Sequence, residues 1–407
     1  MVLSLFLIIV FILFISYLMG REIDFLYLFA FGVIYYIFLP SLVHEFELFL
    51  SFPGIKIWYD TFNKGTQVYL PVIYIFFGAI LCMLYFNFIL NKIRVKTISL
   101  PIISNASLSF CFILIAMLSF YFWFNARGML FEGYSVAYSS DVMGKMATLN
   151  LICNFFALYG FQKNAKHFTN KLFLLLLIIN SIFLLGMGGR MYVLSALITF
   201  FIYFLNKNSF DRVKFIFVIV ITMTFMIFIG MFRLGSTDLS LAGYLFVAEP
   251  VFTSYSSISF LSQNEIPLLA TGELAFKSLI GFLPSFLFEN KVEYIVTPLD
   301  LGYKFSNPLG ATSVIVSSFI SFGSAGAIVF FILMYTGFFC LRCLSKRDIF
   351  FRTIYICSLS VIPFLFFRES FSISFRVLWF VNLIIPIFII TMDVMIKKSL
   401  LCQVKSN

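Results

Sequence analysis

The sequence predicts an all-α, polytopic integral membrane protein with about 11 transmembrane helices and one large late outer loop, residues 233–311. Three observations carry that prediction. Charged residues are only 11% of the chain and hydrophobic ones 62%, where soluble domains carry roughly 25% charged residues. Apolar runs of about 16–25 residues, enough to cross a ~30 Å hydrocarbon core, recur along the chain. The connectors between those runs alternate between basic and near-neutral. The fifty-nine phenylalanines are read as lipid-facing bulk together with a compositional bias, not as an aromatic site.

The first run, 2–20, has no basic leader, and the first cation, Arg21, follows it. That order predicts a retained span with its N-terminus outside the cytoplasm, not a cleaved signal. Further spans are expected near 25–43, 66–90, 102–124, 146–161, 172–187, 191–205, 215–232, 312–341, 353–367 and 376–396. The run at 312–341 exceeds one upright crossing. Gly323 and Gly326 there predict a short lead-in helix, a bend, and then the crossing itself. The chain is read as a single membrane domain, 1–407, with the loop set within it.

The loop is too long to be a simple connector and too rich in Phe, Leu, Ile and Tyr to be disordered. It holds seven of the eighteen acids, and turn signals such as Pro267, Gly272, Pro284, Pro298 and Asn307-Pro308 divide it. Leu241, Leu245, Ala248, Phe252, Tyr255, Ile258 and Leu261 recur at helical spacing, with Ser240, Ser254, Ser256 and Ser257 on other faces. This predicts an amphipathic helix at the membrane surface, bent near Pro250. Glu249 falls in its middle, where a carboxylate near lipid needs a cation or water. A second such helix is expected from Gly272 to Leu283.

Sidedness follows from charge. Arg21, the connectors around Lys92, Lys163, Lys207 and Arg342, and the C-terminal tail hold 17 of the 28 cations and five acids, a net charge of +12. The other side holds 11 cations and 13 acids, a net charge of −2. Basic connectors stay in the cytoplasm, so the C-terminus is expected inside and the long loop outside. Five of the eleven arginines nevertheless fall on the outer side, each near a span boundary: Arg127, Arg190, Arg233, Arg368 and Arg376. A guanidinium presents a planar fork of donors that matches phosphate, so this set points to a pyrophosphate at headgroup depth.

Other chemistries find little support in the residues. The two histidines, His44 and His167, fall on opposite expected faces, and Cys340 and Cys343 have no second pair, so no metal site is expected. No glycine-rich nucleotide cradle appears, and the net charge of +10 follows from inner-face topology, so neither a nucleotide cofactor nor nucleic acid is expected. The expected spans carry no ionisable residue in their interiors apart from Asp393 in the last turn of the final one, which weakens a flippase or transporter reading.

The Gly188-Gly189-Arg190 turn, Arg233 heading a large late loop, Asn307-Pro308-Leu309-Gly310, the run Phe322 to Gly326, and Phe366-Phe367-Arg368 together resemble the O-antigen polymerases of the Wzy type. The resemblance implies a GT-C-like architecture in the bacterial inner membrane, with a periplasmic N-terminus and a cytoplasmic C-terminus. It implies a metal-independent glycosyltransferase, without cofactor, that joins undecaprenyl-pyrophosphate-linked oligosaccharide repeats on the periplasmic face. Its expected partners are that carrier, membrane lipids, a chain-length regulator and other polysaccharide assembly proteins. Arg190, Arg233 and Arg368, with Arg127 and Arg376, would bind the pyrophosphate, and Glu249, Glu273 or Asp300 would take the acceptor's proton. An O-antigen ligase and a lipid-linked oligosaccharide flippase are the rival readings.

Overall fold

The computed structural model describes residues 2–18, 22–52, 55–90, 102–130, 141–164, 167–206, 240–280, 300–307 and 311–406, and the isolated positions 220–221, 224, 227–228, 230–231 and 298. All regular structure among them is helical. The helices are α1 (Val2–Leu18), α2 (Phe25–Glu45), α3 (Ile55–Leu90), α4 (Asn105–Met129), α5 (Asp141–Asn164), α6 (Phe168–Met187) and α7 (Arg190–Leu205). After the gap come α8 (Ser240–Gln263), α9 (Glu273–Ile280), α10 (Val314–Ser345), α11 (Ile349–Phe366) and α12 (Phe371–Lys398, its helix continuing to Ser406).

Eight of these are long and apolar enough to cross a bilayer: α2 to α6 and α10 to α12. Each overlaps an expected span. The helices α1 and α7, 17 and 16 residues long, cover two more, and the span expected at 215–232 lies mostly outside the described residues. The chain is thus a multi-pass membrane protein by its helices.

Helix starts are set by local chemistry. The Asp24 carboxylate accepts from the Leu26 N–H, Ser104 Oγ from Ser107 N–H, and Asp348 from the N–H groups of Phe350 and Phe351. Each satisfies donors that a helix N-terminus leaves orphaned. Three single π-turns interrupt the helices, at Ile34–Phe38, Ile362–Phe366 and Phe380–Ile384. A proline accompanies each. Pro40 and Pro386 lie two residues past the first and third turns, and Pro363 lies inside the second. A proline has no N–H and crowds the carbonyl four residues back, so each of these places is one where the regular i→i−4 ladder is already broken.

The chain divides into two compact units, each built from three separated stretches. The first comprises Met1–Arg94, Ile221–Phe339 and Val361–Arg376. Its centre is aromatic: Phe29 packs on Phe76, Phe331 and Phe367 with ring centroids 5.1–6.4 Å apart. Phenylalanine therefore fills this core as well as lipid-facing positions, a role that composition did not disclose.

Within that unit α8 is one continuous helix packed on α3. Trp58 Nε1 donates to Ser254 Oγ at 2.9 Å, and a methyl added at Gly65 would meet Ile258 Cγ2 at 2.2 Å. The packed face of α8 takes in part of the expected stripe, Leu241, Ile258 and Leu261, together with a row of serines. Ser254, Ser256, Ser257 and Ser259 are buried, while Leu245, Phe252 and Tyr255 are only half-buried. Small hydroxyl residues let membrane helices approach closely, and bulky apolar ones suit lipid equally well, so burial on α8 does not follow hydrophobicity alone.

The expected bend in the ninth span is present. Gly323 has φ 75° and ψ −178°, splitting α10 into two helical pieces. A stretch of the loop, 267–272, fills the break. Ala270 N–H donates to Phe322 O at 3.0 Å and Gly272 N–H to Ser321 O at 2.6 Å. Ser324 and Ala325 N–H donate back to Pro267 O and Leu268 O at 3.1 and 3.0 Å. The loop strand thus caps both ends of the broken helix.

The second unit comprises Val95–Val220, Cys340–Ser360 and Val377–Asn407. Its helices are joined by polar contacts: Asn154 Nδ2 to Thr199 Oγ1 at 2.8 Å, Trp123 Nε1 to Asn180 Oδ1 at 2.7 Å, and Ser195 with Ser360 at 2.9 Å. Asp393 lies buried on α12 and completes the cap of α4. It accepts from Ser104 N–H at 2.9 Å and Ser107 Oγ at 2.7 Å and pairs with Lys397 at 2.5 Å. Asp393→Ala strands those donors, so it is expected to cost about 1–3 kcal/mol. Asp393→Asn keeps an acceptor and should cost less. Thermal unfolding in detergent checks this, and equal melting temperatures for parent and alanine variant would contradict the capping role.

Candidate functional site

Among the described residues of the first unit, Arg368, Glu249 and Glu369 bring charge together in an enclosed place. Arg368 follows the π-turn of α11, and its guanidinium pairs through Nε with the Glu249 carboxylate and through Nη1 with that of Glu369. All three are largely enclosed, with side-chain exposures of 12%, 23% and 12% for Arg368, Glu249 and Glu369.

Each group is placed by a local defect. On α8, Pro250 removes the N–H that would satisfy the Phe246 carbonyl, and the Tyr35 hydroxyl donates to that carbonyl instead at 2.6 Å. This contact ties α2 to α8 beside Glu249. On α2, Gly32 lets the end of α11 approach, since a methyl there would meet the Phe367 ring at 2.3 Å. Tyr36 then lies flat against Phe367, with centroids 6.1 Å apart and planes 8° apart. The Arg368 carbonyl accepts from Ser313 N–H at 2.9 Å, while Ser257 Oγ donates to Ser313 Oγ at 2.8 Å. The backbone of the site is therefore pinned to α8 and to the start of α10.

One cation facing two carboxylates leaves a surplus negative charge if both ionise. Burial pushes the Glu369 carboxyl up, the Arg368 guanidinium pulls it back, and the Glu249 charge adds to the rise; the net direction is upward. Tyr36, buried and with no hydrogen-bond partner for its hydroxyl, sits within electrostatic reach of all three. The arrangement can hold or accept a proton at Glu369 while Arg368 fixes both carboxylates.

No protein family, curated protein or solved structure matches the chain. The site is therefore judged on its own residues.

Of the residues singled out in the sequence, the fold joins Glu249 to Arg368, and Arg368 is the cation that the mid-helix carboxylate required. Arg368 is not a bare anion receptor, because two carboxylates already engage it. Glu273 is exposed and pairs with Lys277 at 2.6 Å, Asp300 is exposed in a turn, and Arg376 is exposed on α12. Arg190, half-buried at the first turn of α7, and Arg127, whose guanidinium lies 3.9 Å over the Phe124 ring, belong to the second unit. Arg233 lies outside the described residues. Sequence reasoning missed Glu369 and Tyr36. For Glu369 the signal was available, a carboxylate directly after the proposed anion-binding arginine. Tyr36 sits within an apolar span and gives no signal of its own.

Proposed function

We propose that this chain is an O-antigen polymerase, a membrane glycosyltransferase that joins undecaprenyl-pyrophosphate-linked repeat units. The observation that carries the proposal is the enclosed Glu249–Arg368–Glu369 cluster, supplied by two distant parts of the chain. The motif resemblance of the sequence supports it independently. In the reaction the bond between the donor's anomeric carbon and its pyrophosphate breaks, and a bond forms from that carbon to an acceptor hydroxyl oxygen. The hydroxyl proton goes to a carboxylate, and undecaprenyl pyrophosphate leaves.

Glu369 suits the proton-accepting role, because a carboxylate with a raised pKa is a stronger base near neutral pH than an ordinary one. Arg368 holds that carboxylate and Glu249 in fixed register. Stabilisation of the departing pyrophosphate falls to a further arginine, for which Arg233 keeps the role that the sequence suggests. The test is the lipopolysaccharide of a bacterium that depends on this chain. Its removal should abolish the ladder of long chains while leaving a single capped repeat. Loss of every attached repeat would favour a ligase, and an unchanged ladder would end the proposal.

A further inference from the structure

The strand that fills the break in α10 has an unusual exterior. The stretch from Ile266 to Gly272 carries no charge, and Leu268 and Leu269 are 70% and 69% exposed. The short helix α9 continues this surface, with Phe276 and Leu279 exposed one turn apart while Leu274, Ala275 and Ser278 are buried. Its charged pair, Glu273 with Lys277, brackets the helix start.

An irregular backbone cannot normally sit in lipid, because no water satisfies its polar groups. Here α10 supplies part of the partners: two carbonyls and two N–H groups of 267–272 are bonded to the helix break, the Gly272 carbonyl accepts from Phe276 N–H, and Pro267 has no N–H to satisfy. The depth of the break is also constrained. Residues 324–345 form the longer piece of α10, and 22 residues at 1.5 Å each span about 33 Å, close to a ~30 Å hydrocarbon core. A crossing made by that piece puts Gly323 at one edge of the core, and the leucines of the docked strand at the same level.

We propose that the stretch 267–280 is inserted in the bilayer, with Leu268, Leu269, Phe276 and Leu279 in contact with lipid acyl chains. The loop of this protein is then partly a membrane element: a strand docked into a broken helix, followed by a helix lying along the interface. This inference does not depend on the enzymatic proposal. It separates a lipid-facing segment from the aqueous turn at 300–304.

The test is tryptophan fluorescence of the full chain in phosphatidylcholine vesicles with and without bromine in the acyl chains. Leu268→Trp, Leu269→Trp and Phe276→Trp each add emission to that of the three native tryptophans, and Lys304→Trp serves as the aqueous reference. The added emission at 268, 269 and 276 should be lost mostly to brominated lipid and hardly to iodide in the buffer, with the reverse at 304. Quenching by iodide at 268 and 269, as at 304, would place the stretch in water and overturn the proposal. Protection from both quenchers, with crosslinking between copies, would assign the surface to a second copy of this chain and overturn it equally.

Discussion

Arg368→Ala is expected to destabilise the first unit by about 3–5 kcal/mol, the usual cost of leaving a buried charge without its partner. Glu249 and Glu369, both largely enclosed, would face each other without a counter-charge. Protonation relieves this, so the loss should depend on pH. Without Arg368 nothing offsets the burial that pushes the Glu369 carboxyl up, so its contribution is retained below the ordinary carboxylate range and lost as pH rises. The variant should therefore melt close to the parent in acid and well below it at neutral pH. Arg368→Lys restores a charge but not the fork that reaches two carboxylates at once, and should recover only part of the difference. Glycan elongation should fall about a hundredfold or more in the alanine variant, since a positioned general base contributes roughly 10²–10⁴-fold and Glu369 loses the group that positions it. Melting curves and turnover at equal expression decide the matter. A pH-independent loss would mean that the carboxylates do not feel Arg368.

The second large effect is at Gly323. Its φ of 75° with ψ of −178° lies in a region essentially restricted to glycine, and a methyl there would sit 2.6 Å from Pro267 O and 2.7 Å from Leu268 O. Those neighbours are backbone, so they cannot swing away. Gly323→Ala should cost about 1–3 kcal/mol in conformation alone, and more as the strand 267–272 is expelled from the break. Gly326→Ala is the matched control, because its nearest neighbours are side-chain atoms at 3.1 and 3.5 Å. Limited proteolysis should cut the alanine variant at 323 within 265–273 while sparing the variant at 326. Equal resistance of the two would contradict the docking of the strand.

The class of fold was legible because it rests on additive quantities. Apolar run length finds helices such as α3 and α6 whatever they pack against. Gly323 was legible for a different reason: an apolar run too long for one crossing and a residue suited to a break coincide. The packed face of α8 was legible only in part: Leu241, Ile258 and Leu261 are buried, but the serines beside them were not expected inside, since hydrophobic periodicity assumes a polar outside and a membrane exterior is apolar. The candidate site was half legible. Glu249 demanded a cation by its position, but nothing local says that Arg368, 119 residues later, supplies it. That pairing needs Gly32, the π-turn at Ile362–Phe366 and the Tyr35 contact with Phe246 to bring α2, α8 and α11 together. The remaining acids, Glu273 and Asp300, share composition with Glu249 but not enclosure, which only tertiary packing determines.

The most direct test of the central claim is elongation by the purified chain in nanodiscs supplied with undecaprenyl-pyrophosphate-linked repeats and no nucleotide sugar. The account predicts products of two or more repeats with release of undecaprenyl pyrophosphate, unaffected by chelators and lost in Arg368→Ala. Recovery of the single repeat unchanged, or elongation only when a nucleotide sugar is added, would contradict it.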